Sequence, residues 1–295
     1  MQEHFYKYTD IRTAELILDN QSFRFSSPLK FNDPFDIQND LAPSFDLNDF
    51  PVIAMSMIEE YINNDYPISN PEDGFAKAIL SMRSCVKTQG YKKADIERIT
   101  YPLLGHLMGE VEYLISQVNA HWQKSMKDSR VFCVTEDNDN LLMWAHYAEN
   151  HTGVVFELAA MPEADTPLSV ARKVKYTDKP LGFYSLEDLV KWTLFGIEPD
   201  ASILQYSNHA YRKSSVWSYE NEWRVVDMCY YERKQDLFVD HKFIPKQLRK
   251  VFFGCKSDED NIRRLSNKAK EINRDVEIYR ARKMQHDYAL QFEKI

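Results

Sequence analysis

The residues from Asp46 to Asp128 constrain this 295-residue chain more than any other stretch, because they carry apolar side chains at helical spacing and little strand signal. Ile53, Met57, Ile58 and Tyr61 recur in that way, as do Ala76, Ile79 and Leu80, and a longer helix is predicted over 96–127. Strand-like runs lie on both sides. Before the block come 5–9 and 23–26, with a helix over 11–18 that Asp10 can cap between them. After it come 130–135, 154–158, 173–176, 237–239, 250–253, 276–280 and 288–292, with helices predicted over 141–149, 186–195, 201–211 and 258–272. Dispersed strands with helices interspersed predict an α+β fold on a mainly antiparallel sheet. Residues 1–295 then form a single domain with an α-helical insertion at about 46–128.

Charge and composition remove several functional classes. With 37 basic against 45 acidic residues the formal charge is −8, which argues against a chain coated for nucleic acid. Local basic faces remain open at Lys173, Lys175 and Lys179 and at Arg280, Arg282 and Lys283, although a solvated charged surface is the plainer reading of both. Cys85, Cys133, Cys229 and Cys255 form no C-x-x-C pair, so reduced and mostly buried thiols are expected, not a disulfide framework or a zinc site. No apolar run approaches the ~18–20 residues that span a bilayer, and the N-terminus lacks the form of a signal peptide. A cytoplasmic protein without a membrane partner is expected. Eight glycines supply neither G-x-G-x-x-G nor a Walker loop, so any nucleotide would be held by side chains, strand edges or ordinary turns.

Three polar clusters carry candidate chemistry. The stretch from Trp217 to Val226 reads as a strand, which puts Glu220, Glu222 and Arg224 on one face at roughly 6.5–7 Å steps. Charges so placed either line a wet cleft or form an ion-pair network. A second cluster is Lys7-Tyr8-Thr9 on the first strand. The third is Thr135 with the helix that carries Trp144, His146 and Tyr147. On that helix Trp144, Tyr147 and Ala148 are expected to share a face, with core packing as the plain alternative, and His146 to turn away as a buried, hydrogen-bonded side chain. Asn32-Asp33-Pro34 reads as a turn whose polar side chains bond local backbone. His146 and His151 are not at metal-ligand spacing and no G-x-S-x-G nucleophile motif exists, so no metal site is expected.

Phe31-Asn32-Asp33-Pro34-Phe35, Met143-Trp144-Ala145-His146-Tyr147-Ala148 with His151 and Gly153, Lys173-Val174-Lys175-Tyr176, and Trp217 with Tyr219-Glu220-Asn221-Glu222-Trp223-Arg224 resemble the hallmarks of a bacterial family, domain of unknown function 2971. More distantly, the three clusters in this order resemble the ADP-ribosyltransferases. That resemblance implies a split sheet and NAD as the substrate, cleaved across a cleft between two small sheets. It places Lys7, Tyr8 and Thr9 at the ribose, with lysine departing from the usual histidine or arginine. It places Thr135, Trp144 and Tyr147 beside the nicotinamide, and carries His146, Asn32 and Asp33 as further candidate contacts. Glu222 would stabilise positive charge on the sugar, and Glu220 would orient or deprotonate the acceptor. Arg224 would pair with a pyrophosphate oxygen or, preferably, restrain the carboxylates.

The expected activity is therefore NAD-dependent ADP-ribosyl transfer to a macromolecular acceptor, protein or nucleic acid, or NAD hydrolysis. Toxin or phage-defence use, with a neutralising partner, is suggested by the company such bacterial families keep; the oligomeric state is left open. A non-catalytic alternative stacks a base or peptide on Trp144, Tyr147, Trp217 and Trp223, with Glu220 and Arg224 as a structural ion pair. A third reading is a nuclease that holds magnesium with Asp33, Asp36, Glu220 and Glu222.

Overall fold

The computed structural model describes residues 3–41, 45–64, 66–68, 74–179, 184–197, 206–228 and 236–295. The chain divides into two compact units, one of Met1–Gln38, Ser125–Asp178 and Ala210–Ile295, the other of Asn39–Lys124 and Lys179–His209. In chain order the first half holds β1 (His4–Thr9), α1 (Ile11–Asn20), β2 (Ser22–Ser26), α2 (Phe50–Asn63), α3 (Gly74–Gln89), α4 (Lys93–Asp128), β3 (Ser129–Thr135) and α5 (Leu141–Tyr147). There follow β4 (Val154–Ala159), β5 (Arg172–Lys173), β6 (Lys175–Thr177), α6 (Leu186–Phe195), α7 (Tyr206–Ala210), β7 (Arg212–Ser214) and β8 (Glu222–Met228). Last come β9 (Phe238–Lys242), β10 (Leu248–Phe253), α8 (Glu259–Ile272), β11 (Glu277–Lys283) and β12 (Leu290–Lys294). Among the described residues no helix is long and apolar enough to cross a membrane.

The sheet of the first unit is mostly antiparallel. Its order is β12-β11-β10-β4-β1-β3-β2-β9, with β10 and β11 parallel, β8 paired to β3, and β5 paired to β8. Strand β1 pairs with β4 along its whole length, His4↔Ala159 to Thr9↔Val154. With β3 it shares a single register pair, Tyr6↔Thr135. Strand β3 instead follows β8 from Ser129↔Met228 to Thr135↔Glu222. The two central strands therefore part company beyond one rung, and the gap between them is where side chains of both can meet a third body.

Burial explains why this sheet holds its shape. Helix α1, capped by the Asp10 side chain accepting from Thr13 N–H, buries Ala14, Ile17 and Leu18, and α8, capped by Asp258, buries Ile262, Leu265 and Ala269 in the same cluster. Phe156, Val251 and Phe253 lie beneath them. Each such leucine or phenylalanine contributes roughly 1.5–3 kcal/mol by leaving water. Arg264 and Lys268 of α8 pair with Glu15 of α1 at 2.9 and 3.1 Å on the wet side, where the gain is about 0–1 kcal/mol.

The second unit is helical. Helix α2 buries Phe50, Ala54, Ile58 and Ile62, and α6 buries Leu189, Val190, Leu194 and Phe195. Tyr61 and Phe195 stack with ring centroids 3.7 Å apart. The sequence placed 46–128 in a helical block; the residues Lys179–His209 join it because α6 presents its apolar face to α2.

Several local expectations differ from the structure. The strand expected over 217–226 starts only at Glu222: Ser215–Glu220 is a 3-10 turn, and Asn221 is left-handed at φ 42. The run 173–176 splits at buried Val174, whose N–H donates to Glu222 O at 2.9 Å, so β5 joins β8 while β6 runs parallel to β7. The helix expected over 141–149 stops at Tyr147, and Glu149, Asn150 and His151 then take positive φ in succession, at roughly 1–2 kcal/mol each. Of the helix expected over 201–211, residues 201–205 lie outside the described residues. Cys85, Cys133 and Cys255 are free thiols, part-buried where burial was expected, and Cys229 lies outside the described residues.

Candidate functional site

The gap between β1 and β3 opens into a pocket of about 390 Å³. Tyr6, Lys7 and Tyr8 reach it from β1, and Cys133, Val134 and Thr135 from β3. Helix α5 supplies a wall through Met143, His146 and Tyr147, which recur at i, i+3 and i+4. Lys30, Phe31, Asn32 and Asp36 close it from the segment after β2. Lys213, Glu220 and Glu222 form its charged floor.

That floor is a buried ion network. Fully buried Arg224 donates Nε and Nη2 to the Glu222 carboxylate at 2.7 and 2.9 Å, and Nη1 and Nη2 to the Asp36 carboxylate at 2.9 and 2.5 Å. A fifth bond runs from Nη1 to Ala210 O at 2.8 Å. Lys213 Nζ lies 2.5 Å from Glu220, 3.2 Å from Glu222 and 3.5 Å from Asp36. Tyr147 donates its hydroxyl to Glu220 Oε1 at 2.6 Å, and Asn32 Nδ2 lies 3.4 Å from the Tyr147 oxygen. Tyr176 accepts the N–H of Glu222 at 2.8 Å, fixing the residue from outside. Charges this dry persist because each has a partner, and removing one would strand the others.

The two glutamates are driven apart in acidity. Burial pushes the Glu222 carboxyl up, but the charges of Arg224 and Lys213 outweigh it and hold the group well below its ordinary value. For Glu220 burial prevails over Lys213, and the neighbouring Glu222 charge adds to it, so its proton affinity is raised. Burial pulls Lys213 down, yet the three carboxylates around it push it up further and keep it charged. Lys7 is lowered by burial, with Cys133, Glu222 and Glu220 acting the other way. Its Nζ donates to Cys133 O at 2.8 Å and lies 5.1 Å from the Phe132 ring centre. Burial and then the Glu222 charge keep the Cys133 thiol protonated. One ionised carboxylate, one carboxylate of raised basicity and a flanking cation are the parts needed to stabilise developing positive charge and to move a proton.

The structure sorts the residues expected from sequence. Lys7, Tyr8, Asn32, Thr135, His146, Tyr147, Glu220 and Glu222 line one pocket. Arg224 lies behind the carboxylates and not on the wall, because both faces of its guanidinium fork are occupied by Glu222 and Asp36. Trp144 is fully buried, edge-on to Tyr8 and donating Nε1 to Asn138 O at 2.8 Å; it lies with Ala148 in a core cluster against which Tyr147 also packs, so the three share a face as expected and Tyr147 reaches the pocket from the edge of that face. His146, expected buried, is exposed at the rim. Thr9 is buried away from the pocket, with its carbonyl against Gly153. Asp33 spends Oδ1 on the Phe35 N–H, the expected local turn.

Glu220 does not extend the strand face of Glu222, because the left-handed Asn221 intervenes; its Nδ2 donates to Asp137 at 2.6 Å and pins the reversal. Glu220 pairs with Lys213, not with Arg224. The aromatic set of the stacking alternative is divided: Trp223 packs on Phe5 at 5.3 Å, Trp217 lies 5.0 Å from Lys213 Nζ, and Trp144 is core. Asp36 has both oxygens on Arg224, and among the described residues no group of three His, Cys, Asp or Glu side chains could hold a metal ion. Lys213 carries no local sequence signal of its role: nothing around the middle residue of the short strand β7 marks the carboxylates it will meet.

No curated protein and no solved structure matches the chain. The pocket-lining residues of α5, the split 173–176 run and both floor glutamates fall within residues 143–225, which match the model of a family described as Protein of unknown function (DUF2971).

Proposed function

We propose that this pocket breaks the nicotinamide–ribose bond of NAD and passes the ADP-ribosyl group to a macromolecular acceptor or to water. The observation that carries the reading is that Glu222, kept ionised by Arg224 and Lys213, faces the same pocket as Lys7 and Tyr147 at the point where β1 leaves β3. The parting of those strands within one sheet leaves room for a ligand between them, as the reading requires. As the bond lengthens, nicotinamide leaves with the electron pair and positive charge builds on the sugar. The fixed Glu222 carboxylate then stabilises the transition state more than the ground state. Glu220, with its raised proton affinity, takes the proton that the acceptor or water loses as it attacks the anomeric carbon. Tyr147, held by Glu220, offers a ring face to the nicotinamide end, and Lys7 lines the same pocket on the ribose side.

Nicotinamide release from NAD, followed with cell extract present as acceptor, tests this. Glu222→Gln is expected to slow release by about 10²–10³-fold, the usual cost of losing one preorganised electrostatic partner. Absence of release from the wild-type protein would overturn the activity. Undiminished release from the variant would overturn the role of Glu222. Labelled ADP-ribose retained on macromolecules separates transfer from hydrolysis.

A further inference from the structure

A second cavity, of about 590 Å³, lies in the same unit as the first but is built from other residues. Lys256, just after β10, forms one side; Lys283 at the end of β11 and His286 and Tyr288 in the β11–β12 turn form the other; His151 contributes from the turn after α5. We propose that this groove binds a nucleotide phosphate, either free or within a single-stranded nucleic acid.

Charge is the first argument. The lining carries Lys256 and Lys283 against a single acid, Asp287. Neither lysine has a carboxylate partner among the described residues, whereas Arg280 and Arg282 nearby are committed to Glu259 and Glu293. The basic run 280–283 is thus sorted by the fold: the arginines serve structure, and the lysine faces the groove.

The second argument is His151. Its Nδ1 is buried with no hydrogen-bond partner, a state that a native fold avoids unless something else completes it. The ring is nearly parallel to Trp144, with centroids 6.2 Å apart and 9° between planes. The backbone fixes it further. His151 O accepts the Lys256 N–H at 3.0 Å, and Gly254 has no room for a Cβ because that same carbonyl fills the space. Lys256 is thereby held beside His151. His151 thus fixes the backbone that brings Lys256 to the groove, where it and Lys283 can attract a phosphate oxygen. The third argument is Tyr288, whose side chain is wholly exposed, at 101%. A ring presented at a hairpin tip beside two cations suits a base stacked next to its own phosphate.

Binding of inorganic pyrophosphate by calorimetry, and of a labelled single-stranded oligonucleotide by anisotropy, tests the proposal at low salt. The wild-type protein is expected to bind at least one probe, and K256A/K283A to weaken that binding tenfold or more. The control pair K173A/K175A is expected to leave it unchanged. Tyr288→Ala is expected to weaken the oligonucleotide several-fold while sparing pyrophosphate. Tighter binding of the oligonucleotide assigns the site to a nucleic-acid strand, and tighter binding of pyrophosphate to a free nucleotide. Lys256, Lys283 and Tyr288 are exposed, so an unchanged melting temperature in their variants confirms that the fold is intact. No binding of either probe at millimolar concentration, or equal binding by the wild type and K256A/K283A, would overturn the proposal.

Discussion

Arg224 is held by two carboxylates that lie 2 and 188 positions away in sequence. The nearer partner was legible, because strand alternation puts Glu222 and Arg224 on one face. The farther one was not, since no local pattern joins Asp36 to β8. The same geometry sets the pH response of Glu222. Its folded acidity is depressed, so its contribution is fully present above the ordinary glutamate value of 4.5 and is lost as pH falls below it toward the folded value. Glu222→Gln is therefore expected to destabilise the protein by about 3–5 kcal/mol at pH 7. That deficit should shrink by about 1.4 kcal/mol for each pH unit below 4.5. Urea unfolding of both proteins at pH 7, 4 and 3 checks it; a deficit independent of pH would mean that the carboxylate is not ionised in the fold.

At the scale of elements, Asn221 decides where the site ends up. Aromatic and β-branched residues made 217–226 read as one continuous strand, and the alternation does hold from Glu222 onward. It fails before that point because asparagine tolerates the left-handed region and Asp137 anchors its side chain there. The consequence is that Glu220 approaches Lys213 from a turn while Glu222 approaches from a strand. Asn221→Gly is expected to keep the backbone and cost well under 1 kcal/mol beyond the lost bond to Asp137. Asn221→Val, which resists positive φ, is expected to cost at least 2 kcal/mol and to abolish nicotinamide release. Denaturant midpoints and the release assay together read this out. Helix α5 carries the same lesson: its spacing was legible, and Met143, Trp144 and Ala148 enter the core as a shared face, but that Met143, His146 and Tyr147 also reach a pocket depends on the neighbouring strands.

For the whole molecule, the α+β class and the helical block were written in periodicity, while the membership of Lys179–His209 was not, because it depends on which apolar faces find each other. Pocket residues come from positions 6 to 222, and long stretches of the helical unit intervene in sequence. A ligand that binds only the assembled pocket must stabilise the folded chain. At a hundred times its dissociation constant, NAD is expected to add about 2.7 kcal/mol, seen as a raised melting temperature. An unmoved melting temperature at millimolar NAD would count against the proposed substrate.

The network of Asp36, Lys213, Glu220, Glu222 and Arg224 is dehydrated and oriented by folding itself. Water around a nascent charge must first reorient, and that reorganisation energy enters the barrier. Side chains already locked in a lattice of opposite charges have almost nothing left to reorient. A reaction on this floor would meet a solvent that is effectively frozen in the right configuration, at the expense of stability the rest of the fold must supply.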